Sequence, residues 1–197
     1  MDSAISAGYH QHLDAGLPLP IAYQTVVGTK HIVSNGSFSL NLARALTRLK
    51  SVFFCIVKAD TANQGTKFVG RVNKDLVDGR TDIMNYHLQV GSQRFPDQPA
   101  TGVAEHYYRL MQALGKDMDH DSISLDPGRY LDDKTVYAIN LERVGKEVAF
   151  SGISTMEGKT LTLTANNAFS GNAVHNVYVF QVADFLANIR KGAVDIN

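Results

Sequence analysis

The sequence predicts an all-β protein, an antiparallel jelly-roll β-sandwich of about eight strands with one inserted amphipathic helix. Three observations lead to this prediction. Several segments alternate apolar and polar residues or consist of β-branched and aromatic residues, turn signals separate them at moderate spacing, and the strand–helix–strand alternation typical of parallel sheets is missing. Residues 101–115 carry the one clear helical periodicity.

The bulk composition describes a globular chain without a strong electrostatic preference. Its 197 residues suit a single domain, 44% of them are apolar, and 19 Lys and Arg balance 19 Asp and Glu. A neutral surface has no general attraction for nucleic acid, so no strong nucleic-acid binding is expected. No apolar run approaches the roughly 20 residues that span a bilayer, so we expect a soluble protein without a membrane span.

The single cysteine, Cys55, lies in the apolar run SVFFCIV. One cysteine cannot form an internal disulfide, so the fold should not depend on an oxidising compartment. Because its neighbours supply no positive charge, we expect an inert, buried thiol instead of a nucleophile.

The N-terminal residues 1–20 are predicted to form an extended arm, and residues 21–197 a single jelly-roll domain. Pro18 and Pro20 favour extended backbone over helix. Such an arm could strap onto a neighbouring subunit, or it could be disordered or packed locally.

The first half of the predicted domain contains three strands and two turn signals. IAYQTVVG (21–28) and the aromatic, β-branched SVFFCIV (51–57) are predicted strands, and Asn35-Gly36 between them is the strongest two-residue hairpin signal. LARALTRL (42–49) places leucines at helical spacing, which predicts a short helical turn. A long polar excursion over 60–82 leads to IMNYHLQVG (83–91), where alternation predicts a half-buried strand with these residues inward: Met84, Tyr86, Leu88 and Val90.

The helix follows a segment with Phe95 and two prolines, which we interpret as a loop. Thr101 is the predicted N-cap, with Glu105 in the first turns, and Gly115 is the predicted stop. The apolar stripe of the helix comprises Val103, Tyr107, Leu110, Met111 and Leu114. A helix that is apolar on one side must lie against a sheet or a neighbouring subunit.

After a polar loop over 116–134, the sequence returns to strands. The predicted strands lie in TVYAINLERV (135–144), EVAFSG (147–152), TLTLTA (160–165) and HNVYVFQVADFLANI (175–189). Strict alternation places Leu161 and Leu163 inward. The nearly continuous apolar run VYVFQV is typical of a central strand.

Motifs that could carry chemistry are weak. His10 and His12 would share a face on a strand and could chelate Zn²⁺ if a third ligand came from elsewhere. Asp117, Asp119 and Asp121 have the spacing of a calcium loop, but the positions that require Gly and Glu hold other residues. MEGKT (156–160) joins two strands and does not lead into a helix, so it is not a phosphate-binding loop.

No nucleophile-elbow signature occurs, and the seven histidines are scattered. We therefore expect no catalytic residue, no cofactor and no metal site, and hence a structural or binding protein that is not an enzyme.

Three blocks of the sequence resemble the major capsid proteins of the double jelly-roll lineage of DNA viruses, the group of adenovirus hexons, virophages and polinton-like viruses. They are RALTRLKSVFFCIV, YHLQVGSQRFPDQPATGVAEHYYRLMQALG, and LTLTANNAFSGNAVHNVYVFQVADFLANIRKGAVDIN. Together they span residues 40–197 approximately. The likeness falls on the second roll of such proteins, and this chain has room for one roll. It could be part of a larger capsid chain or a single-roll relative such as a vertex protein.

The resemblance implies a structural protein that self-assembles into the icosahedral virion shell. It implies a homotrimer or pseudo-hexameric capsomer that contacts other capsid proteins, located in the virion and soluble in the host cell before assembly. Helices inserted between the strands of such rolls pack at the side or base of the roll, where subunits meet, so Tyr107, Tyr108 and Met111 are candidate subunit contacts. Tyr107 and Met111 could equally well cover the sheet of their own domain. Tyr108 lies off the apolar stripe, which makes it the strongest of the three.

Two other functions remain open at this point. A lectin-like β-sandwich would bind a carbohydrate or protein ligand through the 60–82 or 116–134 loops. A jelly-roll enzyme would hold a metal through His10 and His12.

Overall fold

The computed structural model describes residues 3–59, 84–115, 130, 135–142, 152–156, 159–169, 174–190 and 193–196. Within these residues, no helix combines the length and the apolar character that crossing a membrane requires.

Nine strands and two helices make up the described part of the chain. The helices are α1 (Ser3–Asp14) and α2 (Val103–Ala113). The strands are β1 (Leu19–Val33), β2 (Phe38–Asn41), β3 (Leu49–Lys58), β4 (Asn85–Val90), β5 (Gln93–Thr101), β6 (Tyr137–Asn140), β7 (Leu161–Asn166), β8 (His175–Arg190) and β9 (Ala193–Ile196).

The strands form two antiparallel sheets with jelly-roll topology. One sheet has the order β1-β8-β3-β6, with β9 added to the end of β8, and the other has the order β2-β7-β4-β5. The first strand pairs with the eighth, the second with the seventh, the third with the sixth and the fourth with the fifth. The fold is therefore a long hairpin rolled up into two facing sheets, which confirms the predicted jelly-roll sandwich.

The core lies between the two sheets and is built from alternate residues of both. In β4, the predicted inward positions are all buried, and the intervening residues are half-buried or exposed. Leu161 and Leu163 of β7 are likewise buried opposite them. The period-2 alternation therefore identified the core face of these strands correctly.

The last long strand occupies a central position, as its apolar run predicted. β8 pairs with β1 on one side and with β3 on the other. Its residues Val177, Val179 and Ala183 are fully buried between the sheets.

The Asn35-Gly36 turn does not close a hairpin, so that prediction was wrong. It takes the chain from β1 in one sheet to β2 in the other. The Asn35 side chain accepts a hydrogen bond from the Ser37 N–H, and the Gly36 carbonyl accepts one from the Ala168 N–H. A Cβ on Gly36 would collide with the Phe169 carbonyl, so glycine is needed here for close backbone approach.

The leucines of LARALTRL are buried, but residues 42–48 are not helical, so the predicted helical turn was wrong. Leu42 and Leu46 are 2% and 1% exposed. Their N–H groups donate to the Leu161 carbonyl and to the Thr155 hydroxyl, both distant in the chain. Because these tertiary hydrogen bonds replace intrahelical ones, the helix propensity of the segment is overridden.

The predicted Phe-Pro loop is a strand. Gly91 (φ +59°) and Ser92 turn β4 back into β5, which lies at the edge of its sheet. The register then jumps from Leu88 opposite Phe95 to Tyr86 opposite Ala100, so both prolines lie in a bulge. Proline is tolerated at this place because an edge strand can lack ladder donors on its outer side.

The N-terminal arm is not extended over Ser3–Asp14, where the structure has α1, so that part of the prediction was wrong. The prolines restrict only themselves and the residues just before them, and these are indeed extended. α1 ends in a Schellman motif: Gly16 has φ +76°, and the N–H groups of Gly16 and Leu17 donate to the carbonyls of Leu13 and His12. The assignment of 21–197 to a single jelly-roll domain stays a prediction.

Several predictions fall outside the described residues. They are the whole 60–82 excursion, the acidic segment with Asp117, Asp119 and Asp121, most of the 116–134 loop and nearly all of the strand in EVAFSG.

Candidate assembly surfaces

The amphipathic helix α2 covers the edge of the sandwich where β6 and β5 end the two sheets. It contacts β6 above all, and β5 to a lesser extent. Leu110 packs in a second small core with Tyr130 and Ala138, all at most 3% exposed. Ala138 alternates with the core residues of β6, so this second core lies on the outer side of the five-stranded sheet.

His106 joins α2 to the main core through an aromatic cluster that the sequence did not reveal. Its ring centroid lies 5.0 Å from that of Tyr86 and 5.3 Å from that of Tyr137. His106 Nε2 is 3.2 Å from the Ala100 carbonyl oxygen, and the Tyr86 hydroxyl donates to the Ala138 carbonyl at 3.0 Å. The predicted apolar stripe of the helix did not include His106, which is nevertheless only 2% exposed.

Burial dominates the protonation behaviour of this cluster. Desolvation lowers the pKa of His106, although the hydrogen bond to the Ala100 carbonyl and the charge of Glu105 act in the opposite direction. Desolvation also raises the pKa of Tyr86 and of Tyr137 far above the usual range of tyrosine. The cluster is therefore uncharged at neutral pH, as a packed structural element requires.

The start of α2 differs from the prediction, and its end agrees with it. Gly102 (φ +85°) is the N-cap without a side-chain hydrogen bond, so Thr101 is not the cap. Instead the Thr101 N–H donates to Glu105 Oε2 at 2.9 Å, and Glu105 also pairs with Arg109 at 3.0 Å. Partial burial raises the pKa of Glu105, but these two partners together bring it below its usual value. Gly115 (φ +66°) ends the helix as predicted.

The three candidate interface residues occupy different environments. Met111 is 3% exposed and belongs to the interior of this chain. Tyr107 is half-buried, with its ring 5.4 Å from Tyr130 in an edge-on contact. Tyr108 is 53% exposed, so it alone of the three presents most of its side chain to solvent. Their role in subunit contacts stays a prediction.

A second exposed apolar surface lies on the outer side of the five-stranded sheet, away from α2. We define the outer patch as Val26 and Ile32 of β1 with Phe180 of β8, which are 59%, 70% and 41% exposed. Val182 is half-buried opposite Val26, and the half-buried Tyr178 lies between Phe180 and Ile32, with the Lys30 ammonium group 5.8 Å from the centre of its ring. The sequence contained a signal for this patch in the apolar run VYVFQV of β8. A strand that is apolar on both faces is typically covered on both faces.

The histidines of the N-terminal segment do not form the proposed chelate. Because Ser3–Asp14 is helical, residues two apart point to different sides, so His10 and His12 do not share a face. His12 Nε2 instead lies 3.3 Å from the Pro18 carbonyl oxygen. Among the residues that the structure describes, no group of three or more His, Cys, Asp or Glu side chains could hold a metal ion.

Two further features lack the arrangement of a reactive site. Cys55 is half-buried opposite Tyr178 on the outer side of the sheet, and burial raises the pKa of its thiol, which disfavours the nucleophilic thiolate. A groove of about 550 Å³ beside the β4–β5 turn is lined by residues that include Gln93, Ser154 and Lys159. These lining residues do not include the paired base and nucleophile that acyl or phosphoryl transfer uses.

No protein-family model matches the chain, and no curated protein matches it. Solved structures do match over the whole chain. The VP54 protein of PBCV-1, as fitted into a cryo-EM reconstruction of the virophage Sputnik, superposes with a TM-score of 0.61 at 10% identity. A quasi-atomic structure of the PBCV-1 virus capsid superposes with a TM-score of 0.56 at 11% identity.

These comparisons confirm the expected likeness to double jelly-roll capsid proteins at the level of the fold. Each match covers 100% of this chain and 54% of the other. The chain thus spans about half the length of the proteins that it resembles.

Proposed function

We propose that this protein is a structural component of a viral capsid, a non-catalytic unit that assembles with copies of itself and with other capsid proteins into an icosahedral shell. The observation that carries the proposal is the strand order β1-β8-β3-β6 facing β2-β7-β4-β5, in a fold that superposes over its whole length on a PBCV-1 capsid structure. On this proposal the protein is a component of the virion, soluble in the host cell before assembly.

The exposed apolar surfaces support a role in assembly. The outer patch and Tyr108 of α2 present large apolar side chains to solvent at two separate places on the surface. Exposed apolar surface of this kind marks sites of protein contact when it is contiguous. Many modest contacts repeated by symmetry suffice to hold a shell, so no single residue needs to dominate.

The length of the chain bears on the capsomer. The match covers only 54% of the PBCV-1 chain. A capsomer with the same outline would therefore need two rolls of this size in place of each PBCV-1 chain. We propose a homotrimer or a pseudo-hexameric capsomer, in which additional copies or a second roll complete the ring.

Mass measurement of the purified protein over a wide concentration range tests the proposal, together with electron microscopy of the same samples. We expect trimers or larger rings that grow in population with concentration, and regular capsomers or shells in the images. A protein that remains strictly monomeric at every concentration would contradict the proposal.

A further inference from the structure

The three-stranded ribbon at one end of the molecule has one face that is entirely apolar. We define the ribbon as residues 19–24 of β1, 184–190 of β8 and 193–196 of β9. β8 pairs with β3 only as far as Ala183, and beyond that residue it pairs with β1 on one side and with β9 on the other. The ribbon therefore extends past the neighbouring strand of the sheet.

The pairing register decides which side chains share a face of the ribbon. Residues directly opposite each other in an antiparallel pair point to the same side. Tyr23 is opposite Phe185, Ile21 is opposite Ala187, and Ile189 lies between Leu19 and Val194. All of these are apolar or aromatic, and the Tyr23 and Phe185 rings stack at 5.9 Å. We call this face the seat.

The seat is exposed, although it continues the core side of the sheet. Phe185 is partly buried against the main core, as expected from its alternation with Ala183. Further out, Ile21, Tyr23 and Val194 are 48%, 39% and 59% exposed. The opposite face of the ribbon carries its polar and charged residues, with an ion pair between Arg190 and Asp195 at 3.5 Å, beside Ala22 and Leu186.

The helix α1 of the same chain carries a matching exposed stripe. Ile5, Tyr9 and Leu13 are spaced by four residues and so share one side of the helix. Ile5 and Tyr9 are 53% and 51% exposed, so their side chains are not buried on this chain's own ribbon. The Schellman motif at Gly16 and the contact of His12 Nε2 with the Pro18 carbonyl connect the end of α1 to the residues that lead into β1.

The dimensions of helix and seat agree. The 12 residues of α1 extend about 18 Å at 1.5 Å per residue. Six residues of a ribbon strand extend about 20 Å, and three strands are about 10 Å across between their outer axes. A helix of this length can therefore lie along the seat and cover it.

From these observations we propose that the seat binds α1 of a second copy of this chain. The contact area indicates that more than one helix–seat contact forms. Either two copies exchange their α1 helices, or each copy in a closed ring gives α1 to the next. One helix on one seat buries about 300 Å² on each side, or about 600 Å² in total, which is below a stable interface of at least about 1,200 Å². Two such contacts, in which each copy gives and receives a helix, reach that lower limit. The inference deepens the proposed assembly function by naming one of its contacts.

Site-specific crosslinking tests the exchange. In a Cys55→Ser background, one batch carries Tyr9→Cys and a second batch carries Ile21→Cys, Tyr23→Cys or Val194→Cys. The two batches are mixed and treated with a short bis-maleimide. We expect a covalent heterodimer with at least one seat position. The matched control is Gln11→Cys, exposed on another side of α1, which should give at least fivefold less product.

A second measurement does not depend on crosslinking geometry. Tyr9→Asp should weaken self-association at least tenfold in sedimentation experiments, while Gln11→Asp should leave it unchanged. Both variants should keep the melting temperature of the dissociated protein, because α1 is exposed there.

Two results would overturn the proposal. One is a mixture in which Tyr9→Cys gives no more covalent heterodimer with the seat positions than Gln11→Cys does, which would place α1 away from the seat of a second copy. The other is a wild-type protein that assembles normally while Tyr9→Asp assembles equally well, which would refute the exchange and leave the capsid function standing. A wild-type protein that never associates would instead refute the proposed function itself.

Discussion

At the scale of single residues, the fold depends on a few positions where the backbone or a polar group has no alternative. Gly36 is one such position, because the Phe169 carbonyl occupies the space of a Cβ. Thr155 is another, since its hydroxyl bonds to two backbone groups of the non-helical segment 42–48. The alternation of the sequence identified neither, because both depend on residues more than a hundred positions away.

We predict that Gly36→Ala destabilises the protein by about 1–3 kcal/mol, since the added methyl group must displace backbone. Gly8→Ala is the matched control: nothing lies within 4 Å of its added Cβ, and it lies in a helix. The control should be neutral or slightly stabilising. Chemical denaturation of both variants checks the prediction, and equal midpoints would contradict the close approach.

We predict that Thr155→Val costs about 1–3 kcal/mol of stability despite its nearly identical shape. The Leu46 N–H donates to Thr155 Oγ1 at 2.8 Å, and that hydroxyl donates to the Arg44 carbonyl at 3.0 Å. Valine would leave the buried Leu46 N–H without its acceptor and the partly buried Arg44 carbonyl without its donor. Thr162→Val, on the half-exposed side of β7, should change the denaturation midpoint little. A similar small change at Thr155 would show that the two hydrogen bonds do not hold the segment.

We predict that His106 makes stability fall as the pH drops below about 6.5, the value expected for the unfolded chain. The folded protein lowers the pKa of His106, so the unfolded chain binds a proton first. The contribution is complete above the unfolded pKa and is lost as the pH falls toward the folded one. His106→Gln should therefore flatten the dependence of unfolding free energy on pH below about pH 6.5.

The same measurement on His87→Gln provides the comparison. Burial and the charge of Arg94 lower the pKa of His87, so this variant should flatten the curve as well. The double variant should flatten it more than either one. An unchanged slope in His106→Gln would mean that the aromatic cluster accepts the charged ring.

At the scale of elements, the two sides of α2 lie in different environments. Its inner side, with Leu110, closes the edge of the sandwich. Its outer side presents Tyr108 to solvent. Sequence periodicity located the helix and its end at Gly115, but it could not distinguish a stripe that covers its own sheet from one that covers a neighbour.

We predict opposite effects for two substitutions on α2. Leu110→Ala should cost about 2–5 kcal/mol of stability, because the cavity would lie in a closely packed small core. Tyr108→Ser should leave the melting temperature of the isolated protein nearly unchanged and weaken its self-association. Thermal unfolding and sedimentation of both variants check this. If Tyr108→Ser assembles as the wild type does, Tyr108 lies outside the subunit contacts.

At the scale of the whole molecule, the jelly-roll topology pairs strands from the first part of the chain with a strand near its end. β8 is the partner of both β1 and β3, although it lies more than 110 residues beyond either. Bringing such distant segments together costs loop-closure entropy before their contacts stabilise the fold. We therefore expect slow folding. The same topology explains why the chain can present both terminal segments, α1 and β9, at one end.

We predict that removing residues 174–197 abolishes the fold, whereas removing 191–197 preserves it. The longer deletion takes away a strand from the middle of the five-stranded sheet, and the shorter one removes only β9 from the end of β8. Circular dichroism and amide exchange of both shortened chains check the prediction. A folded 1–173 chain would mean that β1 and β3 can form a stable sheet without β8.

The sequence by itself determined several of the strands and the faces that they bury. The alternation around Tyr86, the threonines between Leu161 and Leu163, and the apolar run in β8 are local signals, because the side-chain period of a strand follows from its own backbone. The resemblance of three blocks to double jelly-roll capsid proteins also agrees with the fold that the comparisons found.

Only the tertiary structure decided which sheet each strand joins, and with it which apolar surfaces remain exposed. In the tertiary structure, Asn35-Gly36 connects the two sheets, and residues 42–48 form tertiary hydrogen bonds instead of a helix. The two prolines lie in a bulged edge strand, and the pairing register of the ribbon places apolar residues on one face. Pairing partners are chosen by the total burial of apolar surface across distant segments. That sum cannot be computed from any one stretch of the chain.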